Sequence, residues 1–169
     1  RVVGYPGIEI NDRRRPELQI GGKEIDAHGM YLLPGFIDMH GHIGGTSQGA
    51  DWDYVFKLWL AHGVTTVREP SGRSRSWTLD LKKKSENNEI IAPRIIQYTG
   101  FGSGSKTPIV TQEDARNWVR ENAKAGSDGI KFFGAAPEIM EAALAENNKL
   151  GLGSACHHAQ MSVARWNVL

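Results

Sequence analysis

Four of the six histidines in this sequence fall where apolar runs end: His40 and His42 flank a glycine, and His157 and His158 are neighbours. The His40-Gly41-His42 spacing is the sharpest chemical feature. Two residues apart on an extended segment, both imidazoles leave the same face and can converge on one cation, while Gly41 lets the backbone approach closely. Neutral imidazole suits zinc, and a catalytic zinc needs further ligands plus an open position for water. On the dyad alone, two loop histidines with no ligand role are as good a reading. His157 and His158 point to opposite faces of a strand, so at most one of them faces the first pair.

Lys131, between Ile130 and Phe132, has two readings. It snorkels or pairs with a carboxylate, or burial lowers its pKa and leaves a neutral amine. Such an amine can combine with carbon dioxide to give a carbamate, a carboxylate on a long arm able to bridge two cations. Arg68, Glu69, Tyr98 and the glycine-rich stretch 100–105 are weaker candidates for substrate contact. No helix starts directly after that stretch, so it reads as a flexible loop beside the site and a candidate lid rather than a phosphate cradle. Cys156 reads as a buried, inert thiol. Trp52, Trp59 and Trp118 lie on helical stripes and read as core, and Lys82-Lys83-Lys84 as the wet face of a helix.

The elements that must position these groups alternate. Up to about Met30 the chain is short strand-like pieces broken by turns. From Leu32 onward, apolar runs of four to six residues alternate with amphipathic stretches, the pattern of βα units around a parallel sheet. The runs are Leu32 to Met39, Val64 to Val67, Arg94 to Thr99, Gly129 to Phe133 and Leu152 to Cys156. Between them lie helices from Asp51 to His62, near Ser76 to Asn87, from Thr111 to Gly126 and from Pro137 to Gly151, with a last one from about Ser162. Thr111 with Asp114 forms a capping box, and Gly63, Gly126 and Gly151 are helix stops. Sites in parallel α/β folds lie at the carboxyl ends of strands, which is where His40, His42, Arg68, Tyr98 and His157-His158 fall.

Composition narrows the function classes. With 20 Lys+Arg against 19 Asp+Glu the net charge is +1, which leaves no excess to hold a polyanion, so nucleic-acid binding is excluded as a main role. One Cys makes no internal disulfide, and no apolar run approaches the roughly 20 residues of a membrane helix. At 40% hydrophobic and 23% charged the chain can bury a core. No targeting segment is recognisable, and a cytoplasmic location is expected.

Gly29 to His42, with Leu33-Pro34-Gly35-Phe36-Ile37-Asp38-Met39-His40-Gly41-His42 at its centre, resembles the strand-one signature of the amidohydrolase superfamily, the metal-dependent (β/α)8 hydrolases. Ile25-Asp26-Ala27 looks like that family's lead-in from a small β-sandwich, and His62-Gly63-Val64-Thr65-Thr66-Val67-Arg68 is similar to its strand-two segment. Asp128-Gly129-Ile130-Lys131-Phe132 resembles the strand-four segment carrying a carboxylated lysine in the dihydroorotase- and prolidase-like branches. Ala155-Cys156-His157-His158-Ala159 resembles the strand-five segment with its metal-binding histidine.

The resemblance implies an α/β fold, an incomplete (β/α)8 barrel of about five βα units over residues 31–169, preceded by part of a β-sandwich over 1–30. It implies a divalent cofactor, zinc by preference, as one ion or two. His40, His42, Lys131 and His158 would be its ligands, with His158 favoured over His157 because Ala follows it. The implied activity is hydrolysis of an amide or cyclic amide C–N bond by metal-activated hydroxide, without peptide specificity. Arg68 and Tyr98 are the candidate substrate contacts. A mononuclear deaminase using the same dyad, with Lys131 a plain residue, is the alternative, and a metal-free non-enzymatic relative a more distant one. The family's strand-six His and strand-eight Asp, the catalytic base, have no counterpart before residue 169. A whole barrel takes about 250 residues, so the chain is expected to be the N-terminal portion of a longer enzyme, inactive by itself, completed by the rest of the barrel, and assembled as a homo-oligomer on a small-molecule substrate.

Overall fold

The computed structural model of the chain describes residues 26–44 and 49–157. Two compact units divide between Pro34 and Gly35. Of the first, a turn around Gly29 (φ +76°) is described, closed by the Met30 N–H on the Ala27 carbonyl at 2.9 Å. Most of the expected β-sandwich segment, the helix from Ser162 and His158 lie outside the described residues.

The second unit holds nine elements in strict alternation: β1 (Phe36–Asp38), α1 (Trp52–Ala61), β2 (Val64–Pro70), α2 (Arg75–Glu86), β3 (Arg94–Gly100), α3 (Gln112–Lys124), β4 (Gly129–Phe132), α4 (Pro137–Lys149) and β5 (Gly153–Cys156). The five strands are all parallel, pair in chain order, and curl into a half-barrel. Parallel neighbours need a crossover, and each helix is one. Register sets Tyr98 opposite Gly129 and Gly100 opposite Lys131, and Lys131 opposite Ala155. Among the described residues no helix is long and apolar enough to cross a membrane.

Local chemistry explains the helix ends. Thr111 caps α3, its hydroxyl accepting from the Asp114 N–H at 3.1 Å while the Asp114 carboxylate accepts from the Thr111 N–H at 2.9 Å. Gly126 then leaves the helix in the left-handed region at φ +95°. Pro137 opens α4, where its missing N–H costs nothing.

Two apolar clusters lie between sheet and helices. One joins Ile43, Phe56, Val67, Leu81 and Ile95; the other joins Trp118 and Val119 of α3, Ile130 and Phe132 of β4, and Ile139, Met140 and Ala143 of α4. Each fully buried large side chain there contributes about 1.5–3 kcal/mol. Trp52 and Trp59 pack at the border of the first cluster and Trp118 inside the second, as their stripes predict.

Two expectations need correction. The first strand does not run from Leu32: β1 starts at Phe36, and Leu32 and Leu33 are 54% and 74% exposed. Pro34 cannot donate to a ladder, and the first backbone bond to the neighbouring strand region is the Phe36 N–H on the Gly63 carbonyl. Lys82 is not part of a wet face. It is 15% exposed and its ammonium lies 2.7 Å from Asp128, which also accepts from the Gln97 N–H, so this pair ties α2 to the entry of β4.

Candidate functional site

Past β1 the chain turns, and the Asp38 carboxylate accepts from the His40 N–H at 2.9 Å. Gly41 follows, its N–H donating to the Arg68 carbonyl at 3.1 Å. A Cβ there would lie 2.5 Å from Val67 and 2.7 Å from Trp59, so only glycine lets this turn close on β2 and α1. The closure brings the two imidazoles together edge to face, centroids 5.3 Å apart, as the spacing predicts.

His42 is held from behind. Its Nδ1 lies 3.1 Å from Oε1 of Glu69, a carboxylate only 2% exposed at the end of β2. Glu69 also accepts from the backbone N–H groups of Ile43 (2.6 Å) and Gly72. The Gly72 N–H is delivered by a sharp turn in which Ser71 sits at φ +70°. A carboxylate on Nδ1 fixes the ring and leaves Nε2 for another partner. Glu69 entered the sequence reading only as a weak substrate contact; its geometry makes it the orienting partner of His42. The one signal for it was an acidic residue closing a strand.

Lys131 is buried in β4, with its ammonium 5.8 Å from the Phe133 ring. Burial first, and the nearby Arg68 charge after it, hold its pKa below the ordinary lysine value. Phe133 in turn stacks on His157, centroids 4.9 Å apart. By strand alternation Gly153, Ala155 and His157 share a face, and the His157 N–H continues the ladder onto the Phe132 carbonyl at 3.0 Å. The His40 pKa is lowered by desolvation and then by the charges of Lys131, His42, Arg68 and His157, a set of groups that lie within electrostatic reach of one another. His40 keeps an exposed edge. Of the two adjacent histidines, His157 is the one described, and it joins this group; His158 lies outside the described residues.

Arg68 and Tyr98 are brought together too. The Arg68 guanidinium stacks over the Tyr98 ring, 5.1 Å from its centroid, while its Nε donates to the Met39 carbonyl at 2.6 Å. Tyr98 is 8% exposed and its ring lies across Gly129 and Gly153, the first residues of β4 and β5. Its position supports Arg68 from below. The stretch expected to be a flexible lid is tied down by the Trp118 Nε1–H on the Ser103 carbonyl at 3.2 Å and by two successive turns.

Among the described residues no three His, Cys, Asp or Glu side chains gather into a metal cluster. What the chain presents is a pair of imidazoles, one of them oriented by a buried carboxylate, and within electrostatic reach of His40 a buried lysine whose charge is disfavoured. As donors these suit a borderline divalent ion, and a carbamate on Lys131 would add the anionic oxygen that the pair lacks.

No protein-family model and no curated protein matches the chain. Solved structures do. One is a protein from Bifidobacterium longum assigned as a prolidase, with a TM-score of 0.57 at 23% identity over 80% of this chain and 38% of that one. Another is a Xaa-Pro dipeptidase with methionine bound in its active site, with a TM-score of 0.54 at 21% identity over 73% of this chain and 43% of that one. The chain thus spans about two-fifths of the length of each. At this level of identity the likeness establishes a shared fold: the α/β half-barrel described above is also part of two larger proteins whose names are those of hydrolases.

Proposed function

We propose that this chain carries the first half of the active site of a divalent-metal-dependent hydrolase that cleaves a C–N bond. The observation that carries the reading is the His40–His42 pair, oriented through Nδ1 of His42 by buried Glu69, with Lys131 of β4 within electrostatic reach of His40. His40 and His42 would hold the ion through imidazole nitrogen. Lys131, once carboxylated, would bridge to a second, and His158 or its described neighbour His157 would complete the set. Bound there, the ion would polarise the scissile carbonyl and lower the pKa of a water to roughly 7.

The protein's own contribution is orientation and charge. Glu69 keeps His42 in one tautomer; Arg68, braced by Tyr98 and the Met39 carbonyl, supplies a fixed positive charge beside the pair for a polar substrate group. Burial keeps Lys131 prone to neutrality, the form that reacts with carbon dioxide. The names of the solved neighbours, prolidase and Xaa-Pro dipeptidase, support a small peptide-like amide as substrate class rather than a hydrolase indifferent to peptides.

The test is metal analysis of the intact protein together with hydrolysis of a panel of dipeptides, N-acyl amino acids and lactams. Bound divalent metal, chelator-sensitive hydrolysis of dipeptides, and loss of both in His40→Ala and His42→Ala are the expected results. An intact protein that binds no metal and cleaves nothing in the panel would overturn the reading. One ion per subunit with activity untouched by Lys131→Ala would move it to a mononuclear mechanism.

A further inference from the structure

The loops that follow β3 and β4 border an open cleft of about 740 Å³, lined by Phe101, Ile109, Val110 and Ile139, with Lys106 and Glu138 the only charged side chains among its described lining residues. It opens on the same rim as the histidine pair, because both loops leave the carboxyl ends of their strands. It is also linked through the backbone to the strand that carries Lys131. The Phe101 N–H donates to the Lys131 carbonyl at 2.8 Å, and Phe133, one residue before the cleft-lining Gly134, stands over the Lys131 ammonium and against His157. Phe101 is itself wedged between Trp118 and Phe132, so the inner wall is part of the core and does not depend on a ligand for its shape.

A concave surface that interleaves apolar walls with a few polar side chains, here Ser105, Lys106, Thr107 and Glu138, suits a small amphipathic molecule. Its charges are asymmetric in role. Glu138 lies in the first turn of α4, where an acidic residue complements the helix dipole. Lys106 is exposed at the cleft, and among the described residues no ion-pair or hydrogen-bond partner engages its ammonium, which leaves it open to a ligand. A singly anionic ligand with an apolar body satisfies Lys106 and covers the apolar wall, while a second negative charge would meet Glu138.

We infer that this cleft is the specificity subsite of the proposed hydrolase, taking the half of an amide substrate that bears an apolar side chain and a free carboxylate, with Lys106 as the carboxylate's partner. The inference rests on the hydrolase reading, and its test is independent of turnover. The probes are 4-methylpentanoate and the neutral 4-methylpentan-1-ol, neither of which has a C–N bond, titrated into the intact protein and followed by nuclear magnetic resonance.

The expected result is that the carboxylate binds more tightly than the alcohol, that Lys106→Ala weakens the carboxylate about tenfold and leaves the alcohol unchanged, and that Ala136→Trp, filling the rim, abolishes both. Lys106 and Ala136 are exposed, so both variants are expected to fold. Carboxylate binding that Lys106→Ala leaves intact, or no binding to the intact protein, would overturn the inference. Binding that depends on Lys106 in a protein that hydrolyses nothing would uphold the cleft and remove the hydrolase reading. Hydrolysis with Lys106-independent binding would do the reverse.

Discussion

Glu69 and His42, 27 residues apart in the chain, meet through one Oε1 to Nδ1 contact of 3.1 Å, with the carboxylate 2% exposed and the imidazole half exposed. A buried carboxylate needs partners for its charge, and this one has three: the imidazole and the backbone N–H groups of Ile43 and Gly72. It therefore fixes the loop after β1 and the orientation of the His42 ring at the same time.

Replacing it should separate those roles. Glu69→Gln offers one oxygen where two backbone donors use two, and loses the charge that sets the imidazole, so divalent-metal affinity should fall about 10–100-fold with a modest fall in melting temperature. Glu69→Ala should cost more stability, since it strands the buried Ile43 N–H and leaves the part-buried Gly72 N–H without its acceptor. Metal titration followed by thermal melts of the metal-free protein checks both. Unchanged metal affinity in Glu69→Gln would reduce Glu69 to a loop clamp.

Lys131 should be detectable as a carbamate. Its lowered pKa enlarges the neutral fraction at a given pH, and only the neutral amine adds carbon dioxide. Protein equilibrated with carbon-13 bicarbonate and divalent metal should show a carbamate carbon resonance that is absent from Lys131→Met. That variant should also bind fewer ions per subunit. A wild-type spectrum without the resonance would leave Lys131 as a plain buried lysine.

Much of this arrangement was legible in the residues because its causes are local. Thr111 with Asp114 and Pro137 mark the starts of α3 and α4, and Gly126 and Gly151 lie just past their ends, since caps and stops depend on a few neighbouring groups. The histidine pair followed from a two-residue spacing. What could not be read depends on partners distant in the chain. Leu32 and Leu33 have the side chains of a buried strand, yet burial needs a neighbouring layer and a donor that Pro34 lacks. Lys82 looks like any surface lysine until the register of β4 brings Asp128 beneath it. Glu69 becomes an orienting group only once two loops close on each other, and Tyr98 becomes a support only because Gly129 and Gly153 fall opposite it.

That last relationship is testable by packing. A Cβ on Gly153 would overlap the Tyr98 hydroxyl and lie 2.7 Å from its ring carbon Cζ, and the ring is 8% exposed with little room to swing. Gly153→Ala should therefore destabilise by about 1–3 kcal/mol, the usual cost of overpacking. Tyr98→Phe removes the overlapping oxygen and should recover part of the loss, so the double variant should be more stable than the sum of the two single changes predicts. Denaturant melts of the four proteins give the coupling directly. Strict additivity would mean that Tyr98 does not lie across β5.

The capping box of α3 yields a prediction in pH. Hydrogen bonding from Thr111, side chain and then backbone, with a smaller share from the Val110 N–H, holds the Asp114 carboxyl below its ordinary range. A carboxylate whose folded pKa is depressed adds stability that is fully present above the unfolded value of about 3.9 and is lost as pH falls through the folded value. Asp114→Asn, which cannot ionise, should be less stable than wild type near neutrality and should lose less on going from about pH 7 to about pH 3, so the two stability curves converge in acid. Thr111→Ala should cost about 1 kcal/mol near neutrality and should shift the Asp114 carboxyl back toward its ordinary range, bringing the acid loss to higher pH. Urea melts at a series of pH values measure both effects, and parallel curves for wild type and Asp114→Asn would show that the carboxylate's charge contributes nothing to the cap.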